Sequence, residues 1–109
     1  MNRVYRKRQY NIYQVEHEFI VHNTHLQFKD GHTHIKNYNT AKYIIDLSLH
    51  RSIPHHLSSY LLESLIRISE DKIYKEKIQS LIDNKNNKGK SFYYNRGNKQ
   101  KKNYPKRTN

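Results

Sequence analysis

The chain has 109 residues, with 21 Lys and Arg against 9 Asp and Glu, a formal net charge of +12, 8 His and no Cys. That length allows one domain, and the absence of thiols excludes disulfide staples, thiolate metal sites and cysteine nucleophiles. The charge is segregated: residues 1–10 carry Arg3, Arg6, Lys7 and Arg8, residues 84–109 carry nine further cations, and neither stretch holds an acid, which leaves residues 11–83 with 8 cations against all 9 acids.

This division predicts three parts: a basic N-terminal arm over 1–10, a globular body over 11–83, and a basic, aromatic-containing tail over 84–109. The body is about 40% apolar, close to an ordinary globular domain. The two ends fall short of that share and are expected to stay disordered until they meet a partner. In the body, Ile12 to Val21 places Tyr13, Val15, Phe19 and Val21 on one parity and Gln14, Glu16 and Glu18 on the other, the alternation of a half-buried strand. His25 to Phe28 alternates again, and Asp30-Gly31 offers a hairpin turn before His32 to Ile35. These runs predict a small antiparallel sheet of two or three strands.

Helices occupy the rest of the body. Asn37 to Thr40 supply N-cap candidates for a helix over about 40–51 that carries Ala41, Ile44, Ile45 and Leu49 at spacings of three and four. Pro54 suits the first turn of a second helix, striped by Leu57, Tyr60, Leu61, Leu65 and Ile68. Ser69, followed by Glu70 and Asp71, reads as the N-cap of a third, with Ile73, Tyr74, Ile78, Leu81 and Ile82 on its apolar side. The fold class is α+β: a small N-terminal antiparallel sheet packed against three short helices.

The basic start is not followed by an apolar run of signal-peptide length, and no stretch approaches the roughly 18 apolar residues of a membrane span. A cytoplasmic protein with no membrane partner is the expectation.

Chemistry points first to the ends. Arg3, Tyr5, Arg6, Lys7 and Arg8 at one end, and Lys90, Phe92, Tyr93, Tyr94, Arg96, Lys99, Lys101, Lys102, Lys106 and Arg107 at the other, interleave cations with rings. Cations neutralise phosphates and release counterions, while rings stack on unpaired bases, a combination that suits single-stranded or structured RNA better than duplex DNA. Histidine is the second signal. His32 and His34 share one side of any strand, and His22 and His25 could approach them across a hairpin, so these four are the candidate ligands of a zinc ion. No other cofactor is expected.

Catalysis has little support. The chain lacks a Gly-rich phosphate loop, a nucleophile elbow and a paired-carboxylate arrangement, and Asp30, His32 and His34 make a weak nuclease pattern. A DNA-reading helix is also disfavoured, because Lys72, Lys75 and Lys77 stand among Glu70, Asp71 and Glu76. No small-molecule substrate is expected.

Two readings fit these features. In the first, the chain is a non-enzymatic RNA- or ribonucleoprotein-binding protein, a ribosome-associated type of component whose body docks on protein or shaped RNA while the basic ends run along the phosphate backbone. In the second, it is a phage or mobile-element inhibitor of a host nucleic-acid enzyme, of the anti-CRISPR kind, with the body gripping a protein partner through Tyr38, Tyr43 and Tyr60. A histidine-clustered zinc-binding protein is a further alternative.

Overall fold

A computed structural model describes the backbone of residues 1–97 and the side chains of residues 1–86. In chain order it contains β1 (Asn2–Lys7), β2 (Tyr10–Val15), β3 (Glu18–Asn23), β4 (His32–Ile35), α1 (Tyr38–His50), α2 (Ser59–Ile68) and α3 (Lys72–Gly97). The expected α+β class holds, with a four-stranded antiparallel sheet followed by three helices. The chain divides into two compact units, Met1–Gln79 and Ser80–Asn109. The whole sheet, α1 and α2 belong to the first.

The strands form a meander in the order β1-β2-β3-β4. Two-residue turns, Arg8-Gln9 and Glu16-His17, join the first three, with Lys7 paired to Tyr10 and Val15 to Glu18. Arg8 (φ 56°) and Glu16 (φ 52°) take the left-handed backbone that a tight hairpin asks of its first turn residue. Neither is a glycine, so each carries a Cβ where roughly 1–2 kcal/mol of steric cost arises.

Three expectations about the strands are corrected. The stretch from Ile12 to Val21 is a hairpin and not one strand. Folding back at Glu16-His17 pairs Ile12 with Val21 on one side and leaves Tyr13 and Val15 on the other. A single strand would have put Ile12 and Val21 on opposite sides, with one of them in water.

Residues 2–7 form the edge strand β1, where a disordered arm was expected. Pairing with β2 satisfies backbone groups that would otherwise stand bare at a sheet edge. The strand escaped notice because its register shifts between Arg3 and Tyr5. That bulge sends Tyr5 and Lys7 toward the helices and Arg3 and Arg6 away, a split that a regular period of two cannot produce.

The segment His25 to Phe28 is a turn and not a strand. Asn23 ends β3: its side chain accepts the His25 N–H at 2.9 Å, and its backbone carbonyl accepts the Leu26 N–H at 3.0 Å. The turn closes with the Gly31 N–H on the Gln27 carbonyl at 2.9 Å.

α1 opens on Asn37, whose side chain accepts the Thr40 N–H at 3.0 Å, and closes on Arg51 in left-handed backbone (φ 53°). α2 starts later than Pro54 suggests. Ser58 caps it, and Pro54 lies in the connector. Ser69 ends α2, and Asp71 caps α3 by accepting the Tyr74 N–H at 2.8 Å. Helical backbone in α3 runs past Asp83, the last residue assigned to the body, as far as Gly97.

α1 and α2 lie on one side of the sheet. Ile12, Val21 and Ile35 from the strands meet Ala41, Ile44, Ile45, Leu62, Leu65 and Ile68 from the helices, all at most 1% exposed. At ~25 cal/mol per Å² of apolar surface removed from water, this layer is the main source of stability. Polar ties cross it as well. Thr33 donates to Ser64 at 2.8 Å, and buried Asn23 donates to the Ile68 carbonyl and the Glu70 carboxylate, both at 2.9 Å. No helix among the described residues is long and apolar enough to cross a membrane.

Candidate nucleic-acid interface

The register fixes what each side of the sheet displays. On the helix side, Tyr10 pairs with Asn23, and Ile12, Val21 and Thr33 run across three strands. On the other side two rows cross all four strands: Arg6, Asn11, His22 and His32, then Arg3, Tyr13, Ile20 and His34. α1 and α2 are both tied to the first side, which leaves the second as the outward face of the sheet. Asn11 and Ile20 are its buried floor, at 7% and 5% exposure. Tyr13, His22 and His32 stand half-buried around them, and Arg3, Arg6 and His34 are exposed.

The turn between β3 and β4 adds an aromatic cluster to this face. Phe28, 39% exposed, stacks on His32 with ring centroids 4.3 Å apart and planes 9° from parallel. It also meets His22 at 5.2 Å, and His32 meets His34 at 5.2 Å. The imidazoles are oriented by their hydrogen bonds: His22 Nε2 to the Leu26 carbonyl at 3.0 Å, His32 Nδ1 to the Phe28 carbonyl at 2.5 Å, and His34 Nδ1 to the Glu18 carboxylate at 2.8 Å. The edge at β4 is tied down by the Tyr60 hydroxyl, which donates to the His34 carbonyl.

The predicted binding residues of the N-terminus are thus divided. Arg3 and Arg6 lie on the outward face and Arg8 is exposed in the first turn. Tyr5 turns inward instead, edge-on to Tyr38 at 6.2 Å and beneath the Lys42 ammonium at 5.0 Å. Lys7 is held by Asp46 at 2.7 Å, a bond that raises its pKa above the ordinary lysine value. Lys90, Phe92, Tyr93, Tyr94 and Arg96 fall on α3 where only backbone is described, and Lys99, Lys101, Lys102, Lys106 and Arg107 lie outside the described residues. Phe28, Tyr13 and Asn11 were missed. The register, which the sequence does not state, sets Asn11 opposite Arg6 and Tyr13 opposite Arg3, and the β3–β4 turn sets Phe28 against His22 and His32 of the same face.

The four-histidine zinc site does not assemble. His22, His32 and His34 share the outward face, but His25 turns to the Glu70 carboxylate at 2.9 Å. No group of three or more His, Cys, Asp or Glu among the described residues is placed to hold a metal ion. The hairpin expected to carry His25 toward His32 and His34 does not form, because residues 25–28 are a turn.

A hollow of about 360 Å³ in the same unit is lined by Gln9, Tyr10, His25, Arg51, Glu70 and Tyr74 among others. Its polar groups bind each other. Tyr10, Ser48 and Ser69 hydroxyls form a buried chain at 2.6 and 2.9 Å, and Arg51 donates to Asp71 at 2.8 Å. Glu70 accepts from Asn23, His25 and Gln9, and these bonds, Asn23's foremost, hold its carboxyl below the ordinary glutamate value. Burial pushes the Tyr10 and Tyr74 hydroxyls up. Such self-satisfied polar groups bind strands to helices and leave little unmet demand for a ligand.

No protein-family model matches this chain, and comparison with curated proteins and with solved structures finds no significant match.

Proposed function

We propose that this is a non-enzymatic protein that binds single-stranded or locally unpaired RNA, taking bases on the outward face of its sheet and phosphates on Arg3 and Arg6. The observation that carries this reading is the coincidence on one face of two free-standing arginines with the rings of Tyr13, Phe28, His22 and His32. A sheet face of this kind presents flat rings at strand spacing, on which splayed bases stack at ~1–3 kcal/mol each. Duplexes keep their bases stacked inside and offer such a face only their backbone. The nine cations of residues 84–109 add phosphate contacts wherever the strand continues.

Fluorescence anisotropy with a labelled single-stranded RNA of about 12 nucleotides and with its duplex tests the reading. The single strand binds more tightly. Replacing both Arg3 and Arg6 by Ala lowers the slope of log affinity against log salt by about 0.7 for each phosphate no longer neutralised. Phe28→Ala weakens binding roughly 5- to 100-fold with little change in that slope. Equal binding of duplex and single strand, or indifference to all three substitutions, overturns the proposal.

A further inference from the structure

Asn11 stands at the centre of the outward face, between Arg6 of β1 and His22 of β3, and is only 7% exposed. Its Nδ2 donates to the Tyr13 hydroxyl at 3.1 Å. Its Oδ1 is buried and accepts from nothing, alone in this respect among the buried side-chain atoms of the described residues. Turning the amide over would pair the oxygen with the Tyr13 hydroxyl but leave both amide N–H bonds without an acceptor, a larger deficit, so the oxygen is the group left unpaired. A buried acceptor without a donor costs folding free energy, and an apolar side chain of the same size would avoid that cost. The neighbouring imidazoles all have partners, so the deficit is local to this residue.

Resting on the RNA-binding reading above, we propose that Asn11 reads a base, its Oδ1 accepting the exocyclic amino group of an adenine or cytosine laid against Tyr13. The hydrogen bond to Tyr13 fixes the amide plane, so the acceptor is pre-oriented before any ligand arrives. Arg6, exposed and directly across from Asn11, is the cation that takes the phosphate of the bound nucleotide. Uracil fits poorly. Its Watson–Crick edge carries one N–H donor between two carbonyl oxygens, which would face the Oδ1 with like partial charge, whereas adenine and cytosine present an amino group at the rim of the ring. A donor brought to a buried, unpaired acceptor regains what the empty site lacks, the circumstance in which one hydrogen bond discriminates most strongly.

The experiment uses the full chain and labelled octamers of adenylate, cytidylate and uridylate. The wild-type protein binds the adenylate or cytidylate octamer about 10-fold more tightly than the uridylate one. Asn11→Leu and Asn11→Ala bring all three to the uridylate level, and Asn11→Leu melts no lower than wild type because the unpaired acceptor is gone. A wild-type protein with no preference, or a preference that survives in Asn11→Leu and Asn11→Ala, overturns the assignment of Asn11. The two readings fail differently. If all octamers bind alike and the Arg3 and Arg6 substitutions still weaken them, only the base-reading role falls, whereas failure to bind any octamer removes both.

Discussion

The two sides of the sheet are built from alternate residues of the same four strands, and they differ in what each leaves unfinished. On the helix side the buried polar side-chain atoms of the described residues all have partners: Thr33 reaches Ser64, and Asn23 reaches Ile68 and Glu70, while Ile12 and Val21 lie in the apolar layer at 0% exposure. The outward side keeps two arginines exposed, an aromatic ring 39% exposed, and a buried amide oxygen without a donor. The second carries costs that folding alone does not explain, and such places are where function is expected.

The contrast breaks most visibly in paired substitutions on adjacent residues of β2. Ile12→Ala empties a fully buried position and is expected to cost about 2–5 kcal/mol in urea unfolding. Tyr13→Ala, one residue on and facing outward, should cost less stability while weakening the RNA contact. If the two destabilise equally, the outward face is a second core and the division is mistaken.

Gly31→Ala probes the outward face through its supporting turn. A Cβ at this position would lie 2.6 Å from the Cβ of Leu26, inside contact distance, so the segment that presents Phe28 has to shift. We expect a loss of about 1–3 kcal/mol, with proton chemical-shift changes centred on Phe28 and His32 and the α1 and α2 signals largely unmoved.

Acid sharpens the contrast from the helix side. Hydrogen bonds hold the Glu70 and Asp71 carboxyls below their ordinary values, so the stability they contribute is present above those ordinary values and is lost as pH falls through the lower, folded ones. Unfolding midpoints taken from about pH 7 down to pH 3 should fall, and Glu70→Gln should flatten part of that fall. An unchanged acid limb in Glu70→Gln would show that the ties to Asn23 and His25 are not maintained in solution.

The smallest effect is expected at the hairpin turn. Glu16→Gly relieves the left-handed strain at φ 52° while making the unfolded chain more flexible, for a net gain of about 0.5–1 kcal/mol by thermal melting. A loss there would mean that the Glu16 side chain has a contact of its own.

Much of the helical half was legible in advance because its signals are local. Asn37 before Ala41, Ile44 and Ile45 announces α1, and spacings of three and four mark the buried side of α2 whatever else the chain does. Caps were less legible. Ser69 reads as the N-cap of α3, but its hydroxyl meets Ser48 of α1 and the Tyr74 N–H goes to Asp71 instead. The sheet was misread for a related reason. Alternation cannot tell a ten-residue strand from two strands joined by Glu16-His17, and it fails at the Arg3/Tyr5 bulge.

The amino-acid sequence by itself determined the α+β class, the absence of thiol chemistry and the concentration of charge near the two ends, since these depend on composition and on intervals of two to four residues. The tertiary structure decided which charges gather into a site. Strand pairing is set by contacts between residues far apart in the chain, and it drew Arg3 and Arg6 out of an expected arm and set them opposite Tyr13 and Asn11, in rows that continue to His34 and, through His22, to His32. It also took Tyr5, Lys7 and His25 out of the predicted sets, because Tyr38, Asp46 and Glu70 hold them from other elements.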